Sequence, residues 1–227
     1  KPSLVIIPTN PVQLRQRLEA LHLRVLELDQ EGIPALYKSF RVVGEATGSR
    51  DRAEKLTQEV QSRLAAIQAK SAKLKPARVM FVVARTPGSL DGLMVAGEAS
   101  YLNQIIAIAG GVNVFKDARS AYPKVSLEEV LARNPDVIID MGEMADTVGV
   151  TDAQKTKVVG LWSRMSSIGA VRTRRVHAVA SDIFVVPGPR VVEAAQAFFI
   201  VSFGLPAVVL RQAVGCAPVA SWIEHVG

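Results

Sequence analysis

Cysteine is nearly absent from this sequence of 227 residues: Cys216 stands alone, which excludes an intrachain disulfide and any zinc site built from thiolates. Histidine is almost as scarce. His22, His177 and His225 are isolated, with no HxxxH spacing and no adjacent carboxylate pattern, so no metal site is expected, and His177, alternating within an apolar stretch, reads as structural. The phosphate signatures GxGxxG and GxxxxGK(S/T) are missing, as is the GxSxG turn of serine hydrolases. No catalytic residue is therefore assigned. Uncharged runs are short as well. Ala194 to Leu210 is the notable one, and at 17 residues it sits at the bottom of the roughly 17–25 needed to span a bilayer. It also contains Gly204 and Pro206, so it reads as a buried terminal helix with a broken end. Lys1-Pro2 leads straight into an apolar strand, with no apolar leader and cleavage site ahead of it. A chain lacking the start of its architecture is the expectation.

Charge of one sign is in modest excess, Lys and Arg outnumbering Asp and Glu by 27 to 21 for a net +6. It is not concentrated. Lys70, Lys73, Lys75 and Arg78 form one group and Arg172, Arg174 and Arg175 another, neither interleaved with the aromatics that would stack bases. Both read as solvated faces, and nucleic acid is not an expected partner.

What is present is 49% apolar residues, enough for a packed core, arranged in alternating strand and helix patterns. Leu4 to Ile7 is a continuous apolar run of the kind found in strands buried on both faces. A helix from Val12 to Leu21 and a strand from Arg24 to Leu28 follow. Between Ser49 and Lys75 the residues Ala53, Leu56, Val60, Leu64, Ile67 and Leu74 fall at helical spacing, predicting a helix of about 25 residues, roughly 37 Å long. The pattern restarts with a strand at Val79 to Val83, a turn-rich loop from Arg85 to Ser89, and a helix through Tyr101, Leu102, Ile105, Ile106 and Ala109 closed by Gly110-Gly111. Ser126-Leu127-Glu128-Glu129 has the form of a capping box, and Asn134-Pro135 ends that helix before a strand at Asp136 to Ile139. A helix within Asp152 to Ile168, a strand from Arg175 to Val179 and a final helix starting at Pro187-Gly188-Pro189 complete the series. Such alternation predicts an α/β fold with mostly parallel sheets. The expected division is residues 1–48, a helix at 49–75, and residues 76–227.

Five segments together resemble the helical-backbone class of periplasmic binding proteins, which serve ABC importers. They are Ala96-Gly97-Glu98-Ala99-Ser100-Tyr101-Leu102, Ala109 to Phe115, Ala121-Tyr122-Pro123-Lys124 to Glu128, Asn134 to Ile138, and Val186-Pro187-Gly188-Pro189-Arg190. The opening Lys1 to Ile6 resembles a strand that follows the first-lobe docking segment, so the likeness covers about residues 1–195. The resemblance implies two α/β lobes joined by a long backbone helix, with the first lobe incomplete. It also implies an extracytoplasmic location, a membrane permease as partner, and a metal-chelate ligand held between the lobes with no chemistry done on it. That ligand is expected to be a corrinoid (cobalamin), with haem or a ferric siderophore as alternatives. Residues 200–227 depart from the family's short terminal helix.

The resemblance also assigns residues. Tyr122, in an extended loop before Pro123, matches an aromatic that packs on a flat macrocycle. Asp182 matches an aspartate beside the corrin amides, while the arginine that relatives carry a few residues on is here Val186. Gly97 and Phe184 join these as candidate ligand contacts. Arg190 does so on its own ground: a cation in the first turn of the last helix is not favoured by the dipole, which makes it a candidate for contact with ligand or a neighbouring carboxylate. Glu128 matches the second-lobe carboxylate that pairs with permease arginines, and its position in the first helical turn, free if Glu129 completes the capping box, would leave it open to a partner. Two other readings stand beside this one: a fragment that no longer binds ligand and self-associates as a homodimer through residues 1–50, and an α/β enzyme.

Overall fold

The computed structural model describes residues 2–9, 13–29, 31–142, 151–184 and 186–204. They fall into two compact units, Lys1–Glu59 and Val60–Gly227.

In the first unit β1 (Val5–Pro8) and β2 (Val25–Leu28) pair in parallel, Val5 opposite Val25, joined through α1 (Leu14–Ala20). The strand was expected to be buried on both faces, yet only Ile7 is buried and Ile6 is exposed, because β2 is its one sheet partner among the described residues. Two helices follow. α2 (Gly32–Ala46) was not anticipated; Ile33, Leu36, Phe40 and Val43 carry its helical spacing, while Gly32 and Pro34 look like breakers and instead occupy the first turn, where a missing amide costs nothing. It meets α3 (Arg50–Ser71) closely, since a Cβ on Gly44 would lie 2.4 Å from that of Ala53.

α3 has 22 residues, roughly 33 Å, and the boundary between the units falls within it. Its buried stripe runs through Ala53, Thr57, Val60, Leu64, Ile67 and Ser71. Thr57 replaces the expected Leu56 at no polar cost, its hydroxyl donating to the Ala53 carbonyl at 2.7 Å. Leu74 lies beyond the helix and is exposed.

The second unit is a five-stranded sheet. β3 (Ala77–Ala84) is its centre, paired in parallel with β6 (Val137–Asp140), which pairs in turn with β7 (Val176–Ala178). The other edge of β3 is shared: β5 (Gly111–Asn113) pairs with its start in parallel, and β4 (Met94–Val95) with its end, antiparallel. Between the strands run α4 (Tyr101–Ile108), α5 (Leu127–Arg133), α6 (Asp152–Trp162) and α7 (Gly169–Arg172), with α8 (Val191–Phe203) last. The pleat of β3 divides the core. Met80 and Val82 pack with Phe115, Val130, Ile138, Trp162 and Ile168. Phe81, pointing the other way, meets Phe184 and Phe198 with ring centroids 5.5 Å apart.

Helix ends correct two expectations. Ser126 Oγ accepts from the Glu129 amide at 3.2 Å, but the Glu129 carboxylate accepts from Arg133 at 3.1 Å instead of reaching back. A full capping box forms at Thr151 and Gln154. The basic groups are not simply solvated. Arg78 donates to the Arg133 carbonyl at the end of α5, and Arg175 to the carbonyls of Val201 and Ser202 at the end of α8. Each guanidinium closes a helix C-terminus, the favourable end for a cation.

Candidate functional site

In open α/β sheets ligands bind beyond the carboxyl ends of the strands. Four segments gather at that end in the second unit: the turn after β3, the loop 118–125 held beside β4, the start of the loop after β6, and residues 181–184 and 186–190 after β7.

Tyr122 lies on loop 118–125 and is 40% exposed, a large ring partly open to solvent. The loop is pinned to the β4 segment: Val95 N–H donates to the Pro123 carbonyl at 3.1 Å, Gly97 N–H to Ala121 at 2.9 Å, and Glu98 N–H to Ala118 at 2.8 Å. This fixes the part played by Gly97. A Cβ there would sit 2.1 Å from the Ser120 carbonyl oxygen, so Gly97 seats the loop that carries Tyr122. Beneath it Tyr101 is buried, and burial, with Tyr122 nearby, raises its phenol above the ordinary range.

Asp182 opens a short 3-10 turn (Asp182–Phe184) after β7. Both its carboxylate oxygens accept from Arg190 Nη1 at 3.0 Å, and Arg190 Nε donates to Glu193 at 3.1 Å. Glu193 first and Asp182 after it raise the Arg190 pKa. Arg190 is the residue preceding α8 and comes back over the turn, so Asp182 has a cationic partner although Val186 supplies none. Phe184 stands differently from its expectation. It is 3% exposed and packed against Phe81 and Phe198, so it supports the turn from the core side.

Glu128 is exposed in the first turn of α5, and the amide of Glu128 itself, with the Ser126 hydroxyl, holds its carboxyl below the ordinary range. It stays ionised and outward-facing. Tyr122 and Asp182 are not neighbours: with the strand order β4-β3-β6-β7, they flank the carboxyl end roughly three strand spacings apart, about 14 Å.

One feature at this end escaped the sequence reading. Arg85, just after β3, and Asp140, the last residue of β6, form an ion pair at 2.9 Å with both side chains 0% exposed. Asp140 also accepts from Trp162 Nε1 at 2.6 Å and from the Gly142 amide at 2.7 Å. A charged residue in a turn and an aspartate at a strand end look like surface residues; nothing local marks them as partners.

A depression of about 550 Å³ lies at the opposite, amino end of the sheet, lined by Lys75, Ala77, Asp136, Arg175, Ser202 and Phe203. It surrounds the Arg175 cap and is distinct from the carboxyl-end groups. Among the described residues no group of three or more His, Cys, Asp or Glu could hold a metal ion, and no helix is long and apolar enough to cross a membrane.

The second unit is thus a mostly parallel α/β sheet with a part-exposed aromatic and an exposed ion pair on either side of its carboxyl end. The chain belongs to the periplasmic binding protein family, whose model matches residues 1–182. It is 27% identical over 198 residues to the vitamin B12-binding protein of Salmonella choleraesuis, an alignment covering 86% of this chain and 67% of that protein. Among solved structures, the periplasmic heme-binding protein RhuT from Roseiflexus sp. RS-1, in apo form, is 25% identical with a TM-score of 0.73, covering 90% of this chain and 76% of that one. An ABC-type Fe3+-hydroxamate transport system from Saccharomonospora viridis is likewise 25% identical, with a TM-score of 0.71, covering 89% and 69%. These relatives are binding proteins of transporters and not enzymes.

Proposed function

We propose that the chain is the substrate-binding component of an ABC importer, working outside the cytoplasmic membrane, that takes up a flat metal chelate at the carboxyl end of the second-unit sheet. A corrinoid is the favoured ligand. The observation that carries this reading is the pair of flanking groups: the part-exposed Tyr122 ring on one side and the exposed Asp182–Arg190 pair on the other. An aromatic face offers dispersion and π contact to a planar macrocycle, and an ion pair presents both acceptor and donor atoms to its peripheral amides. Glu128, ionised and exposed, is the point of contact with a cationic permease surface.

Haem is the second reading, supported by the likeness to RhuT, and a ferric siderophore the third, supported by the hydroxamate relative. Titrating the chain separately with cyanocobalamin, haemin and a ferric hydroxamate, followed by calorimetry and the visible absorption band, is the test. Tightest uptake of cyanocobalamin is expected. Preference for haemin or the hydroxamate would move the assignment within the family, and uptake of none would overturn the carrier reading. The exposed Ile6 on a two-stranded sheet also favours pairing of two copies through residues 1–50; a monomer by light scattering at high concentration would exclude it.

A further inference from the structure

We propose that Arg85, held by Asp140, is a positioning residue that sets the Thr86–Asp91 turn and, through it, the strand against which the Tyr122 loop is seated. The inference rests on the reading of the carboxyl end as the ligand end.

The turn has little packing to fix it. Thr86, Pro87, Gly88 and Asp91 are exposed, and only Leu90 contributes a partly buried apolar side chain to the core cluster. Hydrogen bonds take the place of packing. Arg85 Nη1 donates to the Ser89 carbonyl at 2.9 Å and to the Thr86 carbonyl at 3.3 Å, while Nε donates to Asp140 at 2.9 Å. One guanidinium thus spans from a sheet strand to the crown of the turn, a geometry that the rigid fork of arginine allows and the single ammonium of lysine does not. Within the turn the Thr86 amide donates to Asp91 at 2.9 Å and the Ser89 amide to Thr86 at 3.1 Å.

The anchor itself is over-determined. Asp140 lies opposite Val82 in the β3–β6 register, and its carboxylate is shared by Arg85, Trp162 Nε1 and the Gly142 amide. Gly142 rests on the stem of Arg85, where an added Cβ would come within 2.5 Å of Cγ. A buried ion pair is a poor device for stability, since apolar residues of equal volume do as well or better. Here Nε of the arginine is spent on Asp140 while Nη1 is aimed at the two loop carbonyls.

The turn then delivers the chain into β4. The Val125 amide donates to the Leu93 carbonyl at 2.9 Å, Met94 bridges to Lys124, and the Val95 amide donates to Pro123 at 3.1 Å. The bonds that seat the Tyr122 loop therefore begin two residues after the turn that Arg85 closes. An error in the turn would be passed on to Tyr122.

The test compares Arg85→Lys with Trp162→Phe. Arg85→Lys keeps the buried cation beside Asp140 but loses the fork to the turn, whereas Trp162→Phe removes one donor to Asp140 and leaves the fork in place. Amide hydrogen exchange of residues 86–92 is expected to quicken at least 10-fold in Arg85→Lys and to stay as in the parent in Trp162→Phe, although both variants melt earlier. The dissociation constant for whichever of cyanocobalamin, haemin or ferric hydroxamate the parent binds is expected to rise 5- to 20-fold in Arg85→Lys only. Equal loosening of the turn in both variants, or a loosened turn with unchanged affinity, overturns the proposal. Should Arg85→Lys fail to fold, Gly142→Ala, which presses on the Arg85 stem without removing a charge, carries the same expectation. A parent chain that takes up none of the three probes sinks the carrier reading instead, and the exchange data then decide alone whether Arg85 holds the turn.

Discussion

Asp182 and Arg190, eight residues apart, meet end-on: one guanidinium nitrogen of Arg190 donates to both oxygens of Asp182 at 3.0 Å. The side chains remain 55% and 48% exposed, and an ion pair so wetted contributes under about 1 kcal/mol to stability. Arg190→Ala and Asp182→Asn should therefore melt within a degree or two of the parent. Ligand affinity is where the loss should be read, at roughly 10-fold for either change if both groups address the ligand. Unchanged titration curves for both variants would remove the pair from the site.

Tyr122 gives a second expectation. Because Tyr122 is part exposed, at 40%, Tyr122→Ala should lower the melting temperature only modestly while weakening ligand binding by about 1–2 kcal/mol, roughly 5- to 30-fold. Gly97→Ala should lower affinity by a different route. The new Cβ meets the Ser120 carbonyl, so the loop must move, and proteolytic nicking within 118–123 should appear in this variant and not in Tyr122→Ala.

On α5, Ser126 and Glu128 separate folding from docking. Ser126→Ala removes the bond accepted from the Glu129 amide and should cost about 1 kcal/mol in a denaturant melt. Glu128→Gln removes an exposed charge whose bonds to its own amide and to Ser126 lie open to water. It should shift the melt less than Ser126→Ala does and lower ligand-stimulated ATP hydrolysis by the permease complex reconstituted with the whole carrier; an unaffected rate would take Glu128 out of the docking surface.

His177 supplies a pH dependence. Its burial in β7, with Arg175 next, pushes the imidazole down to about 4. The unfolded chain protonates near 6.5 and the folded one resists until about 4, so the unfolded state binds the extra proton over that window. Stability should fall as pH drops from 6.5 to 4, by on the order of 2–3 kcal/mol, and level off below. His177→Gln should flatten that part of the profile in urea melts taken across the range.

Much of the second unit was legible because its strands are apolar runs and its helices stop at marked residues. Asn134 sits at a φ of 44° and ends α5 as Asn134-Pro135 foretold, and the stripe of α3 kept Ala53, Val60, Leu64 and Ile67 while Thr57 and Ser71 stand in place of Leu56 and Leu74. α2 was lost for a local reason: Gly32 and Pro34 suggest a break, and their tolerance in a first turn is visible only once the helix is known. Phe184 was misplaced because its neighbours Asp182 and Val186 are outward, whereas a 3-10 turn carries the residue between them into the Phe81 and Phe198 cluster. The Arg85–Asp140 pair spans 55 residues, a pairing created by the sheet register and not by spacing. The expectations for residues 205–227 lie outside the described residues.

The arginines carry a further consequence. Arg78, Arg85, Arg133, Arg172 and Arg175 each donate to a main-chain carbonyl, so these five cations serve as fasteners between chain segments. Lys73 and Lys75 are exposed and have no such assignment. A variant made less basic, to reduce adhesion to polyanions during purification, should take its changes at the lysines; the same number of charges removed at the arginines would loosen helix ends and a turn, and the two products would carry the same net charge at neutral pH while differing in stability.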